Sequence, residues 1–285
     1  MLTPIFIISR LGSTNQNSQA LLLMSTALIT GASSGIGAVF AQALAKRQTN
    51  LVLVARSQDK LNQLAQQLQE QYPIQVEVLV QDLTAPNAAK SVFEAVTQKN
   101  ITIDLLINNA GFGTYGSFSE SSLPKQLEMI QLNIMALVDL TYQFLPQMQQ
   151  RGSGAIINLS SIAGFQPLPY MSVYAATKAF VLSFSEALWA ENQEKGVKVI
   201  AVCPGPTKTN FFDIAGFEEL ATGSRENQRS ATPESVVRDA LKALEGHSST
   251  VVTGGLPNQI IVNLPRFLRR DTLVKLVEQQ FRPKN

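Results

Sequence analysis

The sequence predicts an α/β protein with a doubly wound parallel sheet and helices on both faces. Seven short apolar runs alternate with helical patterns along most of the 285 residues. The runs are apolar almost throughout, as expected of parallel strands that are buried on both sides. A glycine-rich turn joins the first run to the first helical pattern, and turns of this kind bind phosphate groups in such folds.

The predicted elements follow one another with no linker that would separate two domains. Right-handed crossovers are expected between successive strands. The strand-like runs are residues 26–30, 50–55, 75–80, 104–107, 155–159, 198–202 and 250–253. The helical patterns are residues 36–47, 58–71, 85–99, 123–150, 172–194 and 233–245.

Two segments depart from this alternation. Residues 207–231 follow the sixth strand and carry Phe211, Phe212 and Phe217 among polar residues. We expect a loop that covers the substrate, with a plain surface excursion as the alternative. Residues 256–285 mix apolar and basic side chains and are predicted as a helical extension packed on the core or on a neighbouring subunit. Peripheral membrane contact is the less favoured alternative.

Residues 1–25 are expected to lie outside the fold, either as a disordered extension or because the start is mis-assigned and Met24 is the natural first residue. Their apolar patches are too short for a membrane span. The charge at Arg10 follows the first patch, unlike the order in a secretion signal. An N-terminus that touches a membrane is the minor alternative. Residues 26–285 then form a single domain, and we predict a cytoplasmic protein.

Composition excludes several classes of function. The net charge is +2, and lysines and arginines are scattered, so there is no basic stripe of the kind that binds nucleic acid. The single cysteine, Cys203, rules out an internal disulfide. The single histidine, His247, argues against a multi-histidine metal site or a catalytic triad. We therefore predict no metal.

Residues 30–37 read TGASSGIG and form the glycine-rich turn. Glycines at 31, 35 and 37 let the backbone turn tightly and let an anion approach it. The free N–H groups of the following helix would then face a dinucleotide pyrophosphate. A tight strand-to-helix turn with no ligand is the alternative.

Tyr174 and Lys178 are four residues apart in a helical pattern, so their side chains share a face. A nearby ammonium favours the phenolate, and we expect Lys178 to lower the pKa of Tyr174 and make it a general acid and base. Ser161 follows the fifth strand and could hydrogen-bond a carbonyl oxygen beside the tyrosine. A solvated helix face would be the ordinary interpretation of the pair alone.

The end of the second strand indicates the cofactor. An acidic residue there would bind the adenosine 2′-hydroxyl and repel a phosphate. This chain instead has Ala55, Arg56 and Ser57, and an arginine fork suits a phosphate group. NADP(H) is therefore favoured over NAD(H), unless Arg56 is only a solvated surface residue.

Taken together, these motifs resemble the short-chain dehydrogenase/reductase family over about residues 26–255. The matching motifs are TGASSGIG at 30–37, NNAG at 108–111, Asn133, Ser161, YAATK at 174–178 and PGPTKT at 204–209. The resemblance implies a Rossmann-like fold with seven parallel strands and a nicotinamide cofactor. It also implies that Tyr174 transfers the proton, Ser161 orients the substrate oxygen, Lys178 binds the nicotinamide ribose and Asn133 holds a relay water.

The motifs and the resemblance together predict the ligand contacts. The predicted cofactor-binding residues are Gly31, Ser33, Ser34, Gly35, Ile36, Gly37, Arg56, Ser57, Asp82, Leu83, Asn109, Ala110, Gly111, Tyr174, Lys178, Pro204, Gly205, Thr207 and Thr209. The predicted substrate contacts are Ser161, Tyr174, Phe211 and Phe212.

The predicted function is an NADP(H)-dependent oxidoreductase that reduces a ketone or aldehyde, or oxidises the alcohol, with an apolar or bulky small-molecule substrate. A non-catalytic NADP(H)-sensing protein is the alternative, and a sugar-nucleotide epimerase or dehydratase is disfavoured by the short C-terminal segment. The family resemblance also implies a homodimer or homotetramer that pairs the helices at 123–150 and 172–194. Leu127 and Leu137 are among the residues that would form a buried stripe on the first of these.

Overall fold

A computed structural model describes residues 26–209, 211, 215 and 231–283. The predictions for residues 1–25, for Phe212 and Phe217 and for most of the 207–231 loop concern residues outside this part of the chain.

The strands form one seven-stranded sheet in which every pairing is parallel. Its order, β3-β2-β1-β4-β5-β6-β7, is that of a doubly wound sheet, so the predicted fold class is confirmed. The predicted strand ends differ from the observed ones by no more than one residue. The strands are β1 Thr26–Thr30, β2 Asn50–Ala55, β3 Val76–Val80, β4 Leu105–Asn108, β5 Gly154–Leu159, β6 Val197–Cys203 and β7 Thr250–Val252.

Helices connect the strands and cover both faces of the sheet. The helices are α1 Gly35–Ala45, α2 Gln58–Gln71, α3 Ala88–Gln98, α4 Leu123–Ile130, α5 Leu137–Arg151, α6 Ser172–Asn192, α7 Pro233–Ala243, α8 Leu256–Asn263 and α9 Arg270–Phe281.

Alternation along each strand explains why the strands are apolar throughout. In β1, Ala27 and Ile29 point into the cluster that includes α1, α2 and α7, whereas Leu28 points into the cluster with α3 and α5. Successive side chains leave opposite faces of a strand. Since both faces are covered by helices, most positions of the central strands are apolar, and the buried Asn108 and Asn158 are hydrogen-bonded to each other.

The predicted single helix over residues 123–150 is interrupted. A π-helical segment, Gln131–Ala136, separates α4 from α5. The extra residue in this turn changes the helix face that meets the core, so Leu127 is 55% exposed while Leu137 is buried. The predicted stripe is therefore not a core face at Leu127, and its role between subunits stays a prediction. The same segment turns Asn133 inward, where it is 2% exposed.

The order of the strands places a crevice between β1 and β4. From β1 the chain proceeds outward to β3 and then returns to add β4 on the other side of β1. The loops after β1 and β4 therefore run in opposite directions, which leaves room at the carboxyl edge of the sheet. Every motif singled out in the sequence follows a strand at this edge or lies on a helix that borders it.

Candidate active site

The turn after β1 is fixed by hydrogen bonds to the loop after β4. Thr30 Oγ1 accepts the backbone N–H groups of Asn109 and Ala110 at 2.9 and 3.0 Å. The Asn109 side-chain amide donates to the carbonyl oxygens of Thr30 and Gly31 at 2.9 and 3.3 Å. Gly31 has φ +65°, and a Cβ there would lie 2.9 Å from Asn109 Nδ2. Only glycine fits this close approach.

The N-terminus of α1 has the donors that an anion requires. Ser34 is the N-cap residue, but its side chain makes no capping hydrogen bond, and the first turn has no acidic residue. The free N–H groups of this turn therefore have no side-chain partner, and the Ser34 hydroxyl does not act as a cap. The donor chemistry of this turn fits a dinucleotide pyrophosphate.

Arg56 and Ser57 lie at the carboxyl end of β2, beside this turn. The Arg56 side chain is 67% exposed and makes one weak ion pair, with its Nη1 atom 3.7 Å from Glu128 Oε1 on α4. Glu128 also contacts Lys125 at 3.4 Å. The arginine can therefore bind a phosphate group, and doing so would break only one weak ion pair on the surface.

Asp82 follows β3 and is held within its own loop. Its Oδ1 atom accepts hydrogen bonds from the backbone N–H and the hydroxyl of Thr84 at 2.9 and 2.7 Å. These hydrogen bonds lower the pKa of Asp82, which is therefore ionised at neutral pH. Leu83 is buried beside it.

Tyr174 and Ser161 are brought together by the N-terminus of α6 and the end of β5. Tyr174 is 9% exposed, and its hydroxyl lies close enough to Ser161 for the serine to influence its pKa. Ser161 Oγ caps the short helix Ile162–Phe165 by accepting from Ala163 N–H at 3.1 Å. Its own proton points toward the carbonyl oxygen of Pro204 at a long 3.4 Å. That weak bond can readily be exchanged for one to a substrate oxygen.

Lys178 lies one helical turn beyond Tyr174, at the base of the crevice. Its Nζ donates to the carbonyl oxygen of Leu159 at 2.7 Å and lies 5.8 Å from the centroid of the Tyr174 ring. Gly111 lies beside it, and a Cβ at that position would be 2.9 Å from Asn133 Oδ1. Burial lowers the pKa of Lys178 to about 8.

The expected lowering of the Tyr174 pKa is not found. Burial dominates and raises the pKa of Tyr174 to about 12, and the Ser161 side chain offsets only part of that rise. The ammonium of Lys178 is directed at the Leu159 carbonyl instead of the phenol oxygen. The tyrosine is consequently a neutral hydroxyl at physiological pH, the form that can donate a proton.

Asn133 links the π-helical segment to the loop after β4. Its Oδ1 accepts from Phe112 N–H at 3.1 Å, and its Nδ2 donates to the Phe112 carbonyl oxygen at 3.0 Å. Nδ2 also donates to Thr177 Oγ1 at 3.1 Å, and that hydroxyl donates to the Tyr174 carbonyl oxygen. Asn133 therefore joins the crevice wall to the catalytic helix.

The segment after β6 borders the same crevice. Thr207 Oγ1 donates to the Gly205 carbonyl oxygen at 2.9 Å, and the Thr209 methyl lies 3.5 Å from the position of a Cβ at Gly35. Asn258, from α8, packs so closely on Gly205 and Gly254 that a Cβ at either glycine would overlap its amide. Helix α8 thereby holds this segment against the site.

Apolar side chains pack around Tyr174. The rings of Phe211 and Tyr174 are 5.3 Å apart. A Cβ at Gly113 would lie 2.8 Å from Phe211 Cζ and 3.1 Å from Tyr174 Cδ2, so the glycine permits this packing. Leu273 and Val277 of α9 belong to the same buried cluster as Tyr174.

Helix α9 is tied to the loops of the site by two tyrosines. The Tyr115 hydroxyl donates to the Phe281 carbonyl oxygen at 2.7 Å, and the Tyr170 hydroxyl donates to Glu278 Oε1 at 3.0 Å. Tyr170 has φ +66°, a left-handed conformation that is costly for an aromatic residue. The predicted C-terminal extension thus consists of helices packed on this chain, and α9 joins the apolar cluster that contains Tyr174.

The sequence interpretation missed several residues that shape the site. Thr30 lies within the recognised TGASSGIG motif, and its position between strand and turn could have indicated its role. Asn258, Gly113 and the π-helical segment carry no local signal, because their roles depend on contacts with residues far away in the chain. Within the described residues, no three histidine, cysteine or acidic side chains are grouped as a metal site would require.

Fold and site together define a dinucleotide-dependent oxidoreductase, and comparison with known proteins agrees. The family model of the short chain dehydrogenases matches residues 25–216. The chain is 33% identical to a very-long-chain 3-oxoacyl-CoA reductase of Anas platyrhynchos over 257 residues, which are 88% of this chain and 78% of that protein. It is 31% identical to ketoacyl reductase HetN of Nostoc sp. over 232 residues, 81% of this chain and 79% of that protein.

Solved structures show the same likeness. A short-chain dehydrogenase from Sphingobium yanoikuyae in complex with NADPH superposes with a TM-score of 0.74 at 33% identity, over 92% of this chain and 97% of that one. A 7β-hydroxysteroid dehydrogenase gives a TM-score of 0.79 at 26% identity, over 89% and 96% of the two chains. The chain belongs to the short-chain dehydrogenase family and is an oxidoreductase that acts on keto and hydroxy groups.

Proposed function

We propose that this protein is an NADPH-dependent reductase of apolar, bulky ketones. The observation that carries the proposal is the buried, neutral Tyr174 hydroxyl, which lies beside Ser161 within an apolar cluster. A hydroxyl with its pKa raised to about 12 remains protonated at neutral pH. It can therefore donate a proton to an oxygen that gains negative charge, which is the requirement of carbonyl reduction.

Each residue of the site has its own role in the reaction. The nicotinamide supplies the hydride when it is bound. Ser161 and Tyr174 donate hydrogen bonds to the carbonyl oxygen, which polarises the carbonyl and stabilises the developing alkoxide. Tyr174 then transfers its proton to that oxygen. Lys178, charged below pH 8, stabilises the phenolate that remains after this proton transfer.

The preference for NADPH is supported by the end of β2. Ala55 carries no charge that would repel a phosphate, and the exposed Arg56 can form a two-pronged contact with one. Several solved relatives are described with NADPH, among them the Sphingobium enzyme and an L-sorbose reductase from Gluconobacter frateurii.

The apolar substrate is supported by the wall above Tyr174. Phe211, Leu273 and Val277 pack in one apolar cluster with Tyr174. Relatives are named as reductases of very-long-chain 3-oxoacyl-CoA and as 7β-hydroxysteroid dehydrogenases. Both names describe substrates with a large apolar part, a very long acyl chain or a steroid.

A panel assay tests the proposal. Purified protein is given NADPH or NADH with ketones of increasing apolar bulk, and cofactor oxidation is followed by absorbance. We expect turnover that is faster with NADPH, that increases with apolar bulk, and that falls about a thousandfold in Tyr174→Phe. Turnover that survives this substitution would refute the role of the tyrosine, and rates that favour small polar carbonyls would refute the substrate class.

We further propose a homodimer through the α4–α6 face. The side chains that support it are large, apolar and exposed on neighbouring helices, where a monomer would leave them in water. They are Leu123, Leu127, Met135, Tyr142 and Phe180. The predicted cytoplasmic location of the protein stays a prediction.

A further inference from the structure

Helix α8 has two opposite faces of different character. Asn258 and Val262 lie one turn apart and are 9% and 6% exposed, so they fasten the helix to the core. Leu256 and Ile260 are also one turn apart, and they are 72% and 59% exposed on the far side. Positions two residues apart on a helix point about 200° away from each other, which accounts for this contrast.

The exposed face continues past the end of the helix. Leu264 is 41% exposed and follows Ile260 by one turn, and Phe267 is 82% exposed. We call Leu256, Ile260, Leu264 and Phe267 the apolar ridge. A ridge of four such side chains in water is unfavourable unless another apolar phase covers it.

Three arginines flank the apolar ridge. Arg266, Arg269 and Arg270 are exposed, and none forms an ion pair with a carboxylate in the described part of the chain. Asp271 is the one acidic residue between positions 256 and 275, where Lys275 adds a fourth cation. The surface is therefore apolar at its centre and positive at its rim, which matches the layered chemistry of an anionic membrane surface.

Helix α8, which carries the apolar ridge on one face, borders the candidate site with the opposite face. Helix α8 contacts the short helix Ile162–Phe165 that follows Ser161, and its Asn258 packs on Gly205. The next helix, α9, contributes Leu273 and Val277 to the apolar wall around Tyr174. A bilayer that covered the apolar ridge would therefore contact helix α8, which borders the candidate site.

We propose that the apolar ridge and its arginines dock this protein on the surface of an anionic lipid bilayer. The described helices include none long and apolar enough to pass through a bilayer, so the contact is peripheral. Docking in this orientation brings helix α8, which contacts the Ile162–Phe165 helix after Ser161, against the lipid. The lipid contact itself depends only on the ridge and the arginines, and not on the reductase activity.

Vesicle sedimentation tests the proposal with the full chain and without cofactor or substrate. We expect the protein to pellet with vesicles of phosphatidylcholine and phosphatidylglycerol, and at least tenfold less with phosphatidylcholine alone. Added salt should release it, because each arginine near an anionic surface strengthens binding about fivefold. No pelleting with anionic vesicles would overturn the proposal.

Substitutions locate the contact. Ile260→Ser with Phe267→Ser should weaken vesicle binding about tenfold or more, and Arg266→Gln with Arg269→Gln and Arg270→Gln should remove the preference for anionic lipid. Val80→Ser, at the β3 edge of the sheet, replaces another exposed apolar residue (47% exposed) and should change nothing. Binding by the ridge variant equal to the wild type would overturn the proposal.

Light scattering of the same variants distinguishes lipid from a second copy of the chain. We expect the ridge variant to keep the oligomeric state of the wild type. A loss of oligomers in that variant would show that the apolar ridge is an interface between subunits, and the proposed docking would then be wrong. NADPH oxidation with a water-soluble ketone should be unchanged in all three variants, which separates this proposal from the proposed activity.

Discussion

At the scale of single residues, burial sets the protonation states of the two central side chains of the site. Tyr174 and Lys178 are neighbours on α6, yet burial shifts them in opposite directions: the pKa of the phenol rises to about 12 and that of the ammonium falls to about 8. Both shifts favour the uncharged form, since the crevice removes both groups from water. The tyrosine holds its proton across the physiological range, whereas the lysine loses its charge just above it.

The pH dependence of reduction follows from these shifts. Since Lys178 is charged only below about pH 8, we expect kcat/KM for NADPH, at a saturating ketone concentration, to be level near neutrality and to fall above pH 8. This ratio reports groups in the cofactor-free enzyme. The decline should approach about tenfold per pH unit. A profile that stays level to pH 10 would contradict the assignment, and far-ultraviolet circular dichroism at each pH checks that the fold persists.

Arg56 is expected to decide between the two cofactors. Arg56→Ala removes a charge-assisted contact with the 2′-phosphate and should raise the KM for NADPH about tenfold to a hundredfold, with little effect on NADH. Glu128→Gln is the matched control, because it removes the carboxylate that pairs with Arg56 and leaves the arginine in place. It should bind NADPH at least as tightly as the wild type. Equal losses for both cofactors in Arg56→Ala would show that the residue has only a structural role.

At the scale of elements, two irregular features create the site: the π-helical turn between α4 and α5, and helix α9 over the apolar wall. The π-helical turn directs Asn133 toward the Phe112 backbone. There its side-chain amide accepts a hydrogen bond from the Phe112 N–H and donates one to the Phe112 carbonyl oxygen. Helix α9 fills the space above Tyr174 with side chains from the far end of the chain. Neither feature extends the regular alternation of strand and helix.

Asn133→Leu tests the first feature. The substitution leaves the backbone N–H and carbonyl of Phe112 without their partner, and a buried orphan group costs about 1–3 kcal/mol. We expect the free energy of unfolding in urea to fall by about 2 kcal/mol and kcat to fall as well. Gln131→Ala, in the same π-turn, should leave both quantities nearly unchanged. A fully stable Asn133→Leu protein would argue against this role.

Leu273→Ala tests the second feature. Leu273 is 3% exposed, so its truncation should lower the free energy of unfolding by about 2–4 kcal/mol. Because Leu273 borders the pocket, KM for bulky apolar ketones should also rise, while the Kd for NADPH stays constant. Leu276→Ala, on the exposed side of the same helix (46% exposed), should alter neither quantity. Unchanged kinetics in Leu273→Ala would place the substrate elsewhere.

At the scale of the whole molecule, one sheet edge gathers residues from all parts of the chain. The carboxyl ends of β1, β2, β4, β5 and β6 carry the cofactor and catalytic motifs. Parallel pairing makes this unavoidable, since every strand ends at the same edge. The exposed apolar surfaces lie elsewhere, on the α4–α6 face and on the apolar ridge, so assembly and lipid contact can be tested separately.

The proposed dimer makes a prediction at this scale. Leu127→Arg with Met135→Arg places charges in the centre of the α4–α6 face, where the native side chains are 55% and 54% exposed. We expect light scattering to report a dimer for the wild type and a monomer for this variant. Stability within the monomer should change little, because neither residue is buried in the fold. If light scattering shows that the wild type is a monomer, the proposed dimer is wrong.

The sequence by itself determined the order, type and approximate limits of the strands and most helices, because their apolar periodicity is local and the sheet buries both faces. It also determined the candidate chemistry, because Ser161, Tyr174, Lys178 and the glycine-rich turn occur in short recognisable motifs. Only the tertiary structure decided the direction of the Tyr174 pKa, the π-turn at Asn133, the packing of α9 above the pocket and the exposure of the apolar ridge. Each of these depends on burial and on contacts between residues far apart in the chain, which no local pattern encodes.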